Sequence, residues 1–189
     1  MNLYAYVGNN PINRTDPDGL CSTSSNANAY TQCQVTANLT TSDYGKRFMT
    51  NNEGGVHLTV YNNTAKNPTV GVGHKVATGD NLKVGDVIDN PRSDSFFNSD
   101  LRVAERGVKS LVGNLPLSQN EFDALVDLNY NVGIGTLKNK SPALNAAIRN
   151  GDYNAMGVNL TYTRDSAGNR QGGLITRSND RTTLFNSPK

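Results

Sequence analysis

The spacing of apolar residues changes near Pro91, and this change constrains the fold more than any other feature of the sequence. Residues 57–74 alternate in character and end with glycine at every second place, which is typical of a β-hairpin or a small sheet. Beyond Pro91 the apolar positions follow helical spacing, at Phe96, Phe97, Leu101, Ala104, Val108 and Leu111. Strands and helices in separate stretches predict an α+β fold, with a small β-sheet lobe in front and a helical lobe behind.

Capping residues and glycines set the limits of the predicted helices. The first begins near Ser42 and ends where the Gly54-Gly55 pair follows Glu53, which puts this glutamate at the C-terminal end of a helix. A capping box, Ser118-x-x-Glu121, begins another. Further helices are predicted from Ser93 or Asp94 to Gly113, from Ser118 to Gly133 and Gly135, over 141–150, over 152–160 and from Leu174 to Phe185, with a polar loop at 161–173.

Composition limits the classes of function that the chain can have. Its formal net charge of +2 does not call for nucleic acid as a partner, and it permits binding to a polyanionic surface such as a bacterial wall. Cys21 and Cys33, with His57 and His74 far along the chain, lack the spacing of a metal site, so we expect no metal and no cofactor. The two cysteines are either free thiols or one local disulfide. No apolar run approaches the ~20 residues of a membrane helix.

The N-terminal stretch NLYAYVGNNPINRTDPDGL combines an alternating aromatic strand with two turn-forming clusters. It resembles the sequence NLYxYxxNNPxxxxDPxGL that closes the core of Rhs/YD-repeat proteins, where a variable toxin follows and the chain is cut after the leucine. The resemblance implies cleavage between Leu20 and Cys21, and the Rhs core shell as a partner before release. The implied organisation is an Rhs-core tail at 1–20, a polar linker at 21–42 and a toxin domain at 43–189.

Three later blocks, in this order, resemble the phage-type lysozymes of glycoside hydrolase family 24. They are EGGVHLTVYNNTAKNPTVGVGH, LPLSQNEFDALVDLNYNVGIGTL and GLITRSNDRTTLF, and the resemblance covers about residues 44–187 with gaps. It implies a lysozyme-like fold, with the sheet lobe and the helical lobe that the residue patterns predict.

The resemblance also implies roles for five residues. Glycoside cleavage needs a carboxylic acid to protonate the leaving oxygen, and Glu53 stands at that position of the motif. Thr69 matches the threonine whose hydroxyl holds the attacking water. Asn131 is expected to line the sugar groove, and Arg177 either approaches the acid or is a solvated helix residue. His74 either belongs to the substrate site or is a structural histidine that packs the hairpin.

The second carboxylate of the family is missing from its place in the motif, where this chain has Asn63. An amide cannot act as a base or stabilise an oxocarbenium ion by charge. Either Asn63 and Thr69 position water without a formal base, or a carboxylate from elsewhere, such as Asp80 or Asp43, replaces the missing one. The third alternative is a domain that has lost catalysis.

These resemblances imply a muramidase that cleaves the β-1,4 bond between N-acetylmuramic acid and N-acetylglucosamine, with inversion. We expect it to be secreted as an antibacterial Rhs effector and to act, as a monomer, on peptidoglycan glycan strands in the periplasm of a target bacterium. A cognate immunity protein is a further expected partner. A wall-binding module without activity is the alternative function. A nuclease toxin fits the sequence less well, since the two histidines have no HNH-like spacing.

Overall fold

The computed structural model describes residues 34–164 and 168–187. Its helices are α1 (Asp43–Asn52), α2 (Asn90–Val112), α3 (Gln119–Val132), α4 (Ile134–Lys140), α5 (Pro142–Asn150), α6 (Tyr153–Val158) and α7 (Gly172–Asn186). Its strands are β1 (Gln34–Val35), β2 (His57–Asn62), β3 (Pro68–Gly71), β4 (His74–Lys75) and β5 (Pro116–Leu117), and short 3-10 turns cover Thr36–Asn38 and Thr78–Asp80. The predicted tail, its cleavage point at Leu20 and Cys21, and the second cysteine, Cys33, lie outside the described residues.

The chain divides into two compact units, and the boundary falls inside α2. The sheet unit comprises residues 43–103, and the helical unit comprises the described residues among 34–42 and 104–187. The three-stranded sheet lies in one unit with α1 and the first part of α2, and the other helices form the second unit with the short β1–β5 pair. The α+β prediction is confirmed.

The sheet unit contains an antiparallel meander in the order β2-β3-β4. One face of it carries a small core of Val60, Val70 and Ile88, against which Leu58, Val76, Leu82 and Phe96 pack. Paired residues of an antiparallel sheet share a face. Tyr61 pairs with Thr69 and His57 pairs with Gly71, so the side chains at 57, 61 and 69 lie on the face opposite this core.

The helical unit is built around α3, in which every residue from Phe122 to Asn129 is buried. Its beginning has the predicted capping box: the Ser118 N–H donates to Glu121 Oε2 over 2.8 Å, and the Ser118 hydroxyl accepts from the Glu121 N–H. The helix packs most extensively against α7. A helix that is buried on all sides forms the centre of the core of its unit.

The described part of the predicted linker is folded. In residues 34–42, β1 pairs with β5, and Leu39 is buried. The Thr41 N–H and hydroxyl both donate to Glu105 over 2.7 Å, and the Ser42 N–H donates to Asp123 over 3.1 Å. Polar composition suggested a linker, but here short hydroxyl side chains satisfy buried acceptors, so the folded chain begins before residue 43.

Two helix limits also differ from the predictions. Helix α2 begins four residues before Asp94, because the Asp89 carboxylate accepts the Arg92 N–H over 2.9 Å and caps it there. Pro91 lies in the first turn, where a helix tolerates proline. Gly133, with φ 78°, ends α3 as predicted, but Gly135 lies inside the additional helix α4. Among the described helices none combines the length and the apolar character needed to cross a membrane.

Candidate functional site

Glu53 directly follows α1, at the point where the chain reverses. The Gly55 N–H donates to the Thr50 carbonyl and the Gly54 N–H donates to the Asn51 carbonyl, the two bonds of a Schellman motif. Gly54 has φ 82°, a conformation that favours glycine. The predicted position of Glu53 at a helix end is therefore confirmed, and the glycine pair that follows it explains why the helix stops there.

The Glu53 carboxylate lies against the backbone of Gly73, in the turn between β3 and β4. A Cβ atom at position 73 would be 2.6 Å from Glu53 Oε2 and 3.0 Å from its Cδ. Gly73 also has φ 71°. A side chain at this position would therefore displace the carboxylate, and the glycine of the GVGH sequence sets where Glu53 can lie.

Tyr61 and Thr69 face the same side of the sheet as cross-strand neighbours. Burial raises the pKa of the Tyr61 hydroxyl, and the negative charge of Glu53 raises it further, which places the phenol close to the carboxylate. Thr69 is buried, and its hydroxyl donates to the Asn67 carbonyl over 3.0 Å. Because that bond uses the hydroxyl proton, the lone pairs of the Thr69 oxygen are the part that could accept a hydrogen bond from water.

Asn63 organises the turn between β2 and β3. Its side-chain oxygen accepts the Ala65 and Asn67 N–H groups, both over 3.0 Å, and its backbone N–H donates to the Asn67 carbonyl. This is an Asx-type turn, in which a carboxylate could accept the same two bonds. The turn therefore accommodates either an amide or a carboxylate at position 63.

The two carboxylates proposed to replace the missing one are placed unfavourably. Asp43 opens α1, whose ten residues separate it from Glu53 by about 15 Å along the helix. Carboxyl groups of inverting glycosidases are ~6.5–9.5 Å apart, so Asp43 is too distant. Asp80 accepts the Ala77 N–H over 2.6 Å and lies 3.3 Å from His74 Nε2, on the core side of the sheet. Neither residue takes the place of a carboxylate at position 63.

Asp80 is held in its ionised form by this environment. Partial burial opposes ionisation, but the hydrogen bonds from Ala77 and His74, together with the nearby charges of His74 and Arg92, lower the pKa of the Asp80 carboxyl below its ordinary value. The negative charge of Asp80 in turn stabilises the protonated form of His74.

His74 pairs with Val70, whose side chain is in the sheet core, so the imidazole lies on the face opposite Thr69. Its Nδ1 is 2.8 Å from Asp100 and its ring stacks on Phe96 with centroids 4.1 Å apart. The hydrogen bond to Asp100 raises the pKa of His74 and outweighs the opposing effect of burial. With both ring nitrogens beside carboxylates, this geometry favours the structural role for His74 over substrate contact.

Arg177 belongs to a buried ionic cluster in the helical unit. Its Nη2 donates to Asp127 over 2.7 Å, and the Nε of Arg181 donates to the same carboxylate over 2.6 Å. Arg181 also donates to the Leu160 carbonyl over 3.0 Å. Arg177 is only 4% exposed, so the alternative of a solvated helix residue is wrong. Its approach to Glu53 stays a prediction.

Asn131, the predicted groove residue, lies near the end of α3 and is half-buried. Its side-chain oxygen is buried and accepts no hydrogen bond within the described residues. The described residues supply no donor to this buried oxygen, and the place of Asn131 in the sugar groove stays a prediction.

The sequence interpretation missed the Asp127–Arg177–Arg181 cluster, although a signal was present. Arg177 and Arg181 are four residues apart on one helix, which puts both on one face, and Asp127 interrupts the apolar helix α3. It also missed Tyr61 as a neighbour of Glu53. No group of three or more histidine, cysteine, aspartate or glutamate residues within 34–164 and 168–187 is arranged to hold a metal ion.

Comparison with known proteins connects this geometry with a family. The Phage lysozyme family matches residues 51–181, which is more than half of the chain. The endolysin of Salmonella phage P22 is 37% identical over 82 residues, covering 43% of this chain and 56% of the endolysin. The endolysin of Bacillus phage B103 is 30% identical over 122 residues, covering 65% of this chain and 44% of that protein. The chain thus spans about half the length of these relatives.

The fold resembles that of solved structures as well. The crystal structure of a mutant of P22 lysozyme aligns with a TM-score of 0.65 and 26% identity, covering 79% of this chain and 99% of that one. The lysozyme-like fold expected from the sequence is confirmed.

Proposed function

Because the chain belongs to the phage lysozyme family, we propose that it is a peptidoglycan muramidase that cleaves the β-1,4 bond between N-acetylmuramic acid and N-acetylglucosamine. The observation that carries this proposal is the position of Glu53. Its carboxylate stands at a helix end, against Gly73 and near Tyr61, in a sheet unit where Thr69 shares the sheet face of Tyr61.

In the proposed reaction the Glu53 carboxyl donates its proton to the glycosidic oxygen as the bond from that oxygen to the anomeric carbon breaks. A water molecule attacks the anomeric carbon from the opposite face and the configuration is inverted. Thr69 accepts a hydrogen bond from this water through its free lone pairs, and Asn63 borders the same site. One proton of the attacking water stays in the new anomeric hydroxyl and the other passes to solvent, since position 63 offers no base. The Glu53 carboxylate takes up a proton from solvent before the next turnover.

This scheme predicts a slow enzyme that a single substitution makes faster. Aspartate at position 63 would accept the Ala65 and Asn67 N–H groups as asparagine does, and it would add a charge and a base. General-base catalysis contributes about 10²–10⁴-fold. We therefore expect Asn63→Asp to increase the rate at least tenfold, a conservative bound on that contribution.

Zymography on purified cell walls tests the proposal. The wild type should clear the walls, Glu53→Gln should abolish clearing, and Asn63→Asp should increase it. Circular dichroism shows whether each variant is folded. If no folded version clears the walls, the enzymatic proposal is wrong.

The absence of a carboxylate at position 63 also supports a second candidate, a wall-binding module without activity. In that case walls would bind wild type and Glu53→Gln equally in a pull-down, and neither would clear them. Release of reducing sugar by the wild type alone would exclude this candidate. Degradation of plasmid DNA by the purified protein would instead point to a nuclease.

We also propose that the domain acts as an antibacterial Rhs effector, delivered to the periplasm of a target bacterium and neutralised there by an immunity protein. Its support is the NLYAYVGNNPINRTDPDGL sequence, which keeps nearly every position of the Rhs closing motif. Sequencing the N-terminus of the released product should give Cys21 as its first residue. An intact N-terminus after release would contradict cleavage at Leu20.

A further inference from the structure

Two rings on β2 meet in a way that a regular strand does not permit. The centroids of His57 and Tyr61 are 5.0 Å apart with an interplanar angle of 56°. Residues four apart in an extended strand are separated by about 13 Å. The difference comes from an irregularity in the pairing of β2 with β3. Tyr61 follows His57 by four residues, but their partners on β3, Thr69 and Gly71, are only two residues apart.

Extra residues on one strand form a bulge, which increases local twist and turns side chains to new directions. Here the bulge brings an exposed imidazole onto a half-buried phenol. Neither ring belongs to the sheet core. One exposed and one half-buried aromatic ring, held together in this way, form a surface with apolar faces and polar edges.

The ring pair flanks Glu53. A Cβ atom on Gly54, the residue after the glutamate, would be 3.7 Å from His57 Nε2. Tyr61 lies near enough to the Glu53 carboxylate for that charge to raise the pKa of the phenol. Thr69, opposite Tyr61 on β3, shares the same face.

A pyranose ring matches such a surface, because its C–H groups form an apolar face and its hydroxyl and acetamido groups form polar edges. Binding sites generally combine aromatic walls with a few polar groups that fix orientation. The exposed Val87 forms a β-bridge with Thr59 of β2 and adds apolar area next to this strand.

We propose that the His57–Tyr61 pair is a saccharide-binding shelf, which holds one sugar unit of the glycan strand beside Glu53, with His57 as its specificity-determining residue. This inference rests on the proposed glycan substrate. The shelf acts in binding and leaves the chemistry to Glu53, so it contributes to KM more than to kcat.

The chain offers a direct probe, since His57 and His74 are its only histidines. In the folded Glu53→Gln protein, titration with chitotetraose should shift the ring signals of His57 in a ¹H–¹³C NMR spectrum. The ring of His74, on the opposite sheet face, is the internal control and should move much less.

Kinetics on cell-wall fragments give the second test. His57→Ala should raise KM about two- to tenfold, the effect of one aromatic contact, with kcat nearly unchanged. His57→Phe retains a ring and should remain close to the wild type. Tyr44→Ala, which removes another exposed aromatic side chain from the sheet unit, is the matched control and should have no effect.

These experiments distinguish failure of the shelf proposal from failure of the muramidase proposal. If the wild type cleaves glycan and His57→Ala has the same KM, the shelf proposal is wrong. It is also wrong if chitotetraose binds without shifting the His57 signals. In both cases the muramidase proposal is unaffected. If the wild type neither cleaves walls nor binds the oligosaccharide, both proposals fail together.

Discussion

The two units of this protein differ in how deeply their paired charged side chains are buried. In the helical unit, Asp127 and Arg181 are completely buried. In the sheet unit the ionic groups keep contact with solvent: the Asp100 side chain beside His74 is 32% exposed, and that of Asp43 beside Lys46 is 89% exposed. In the helical unit a buried ion pair connects the packed helices, whereas in the sheet unit, which carries the candidate acid, the paired charges remain accessible to solvent.

The difference has an energetic basis. A buried ion pair has lost its hydration, so it must recover that free energy from short hydrogen bonds, and removing one partner leaves an uncompensated charge. An exposed pair loses little hydration and contributes about 1 kcal/mol or less. Substitutions of similar chemistry should therefore have very different effects in the two units.

The largest effect is expected at the centre of the helical unit. Asp127→Asn removes the charge that Arg177 and Arg181 share, and it should lower the free energy of unfolding by about 3–5 kcal/mol. Urea denaturation followed by circular dichroism measures the change. Asp43→Asn, the matched substitution in the exposed pair, should cost less than about 1 kcal/mol. Equal effects at the two sites would contradict the distinction between the units.

The next effect concerns the sheet unit and separates activity from stability. Gly73→Ala puts a methyl group against the Glu53 carboxylate and an alanine at positive φ, which costs about 1–2 kcal/mol. We expect wall clearing to be lost while the protein stays folded. Gly79→Ala, where an added Cβ meets nothing within 4 Å, is the control for zymography and thermal unfolding. Full activity in Gly73→Ala would show that Glu53 does not need its present position.

A smaller effect should appear as a dependence on pH. The folded pKa of His74 is raised above its ordinary value of 6.5, chiefly by the hydrogen bond to Asp100. The folded state therefore binds the proton more tightly, and this stabilisation is complete below pH 6.5 and is lost as the pH rises through the folded value. Asp100→Asn should flatten this part of the curve of unfolding free energy against pH.

NMR titration of the His74 ring measures the same quantity directly, and its pKa should fall in the Asp100→Asn protein. The exposed Asp94, on the same helix, provides the control substitution Asp94→Asn, which should leave the titration unchanged. An unchanged His74 titration in Asp100→Asn would mean that Asp80 alone sets the pKa.

The smallest effect on stability is expected at position 63. Asn63→Asp keeps both acceptor bonds of the turn, so the free energy of unfolding should change by no more than about 0.5 kcal/mol. Thermal unfolding, measured on the samples used for zymography, shows whether a gain in activity comes from the added carboxylate or from a change in stability. A large loss of stability would show that the turn requires an amide.

Much of the fold could be predicted because its signals are local. The glycine pair after Glu53, the capping box at Ser118 and the apolar spacing of α3 each depend on residues within a few positions of one another. The sequence predicts the start of α2 too late, because Ser93 and Asp94 are also suitable capping residues and only the structure shows that Asp89 caps the helix. Residues 34–42 were read as a linker because composition does not reveal distant acceptors such as Glu105 and Asp123.

The sequence alone determined which residues are candidates: Glu53, Thr69 and Asn63 through the resemblance to the lysozyme motif, with Glu53 also predicted at a helix end. Only the tertiary structure decided their surroundings. It put the Glu53 carboxylate against Gly73, and it brought Arg177 to Asp127 across 50 residues of chain. The physical reason is that capping and periodicity act between neighbours in the chain, whereas burial and charge pairing depend on groups that only packing brings together.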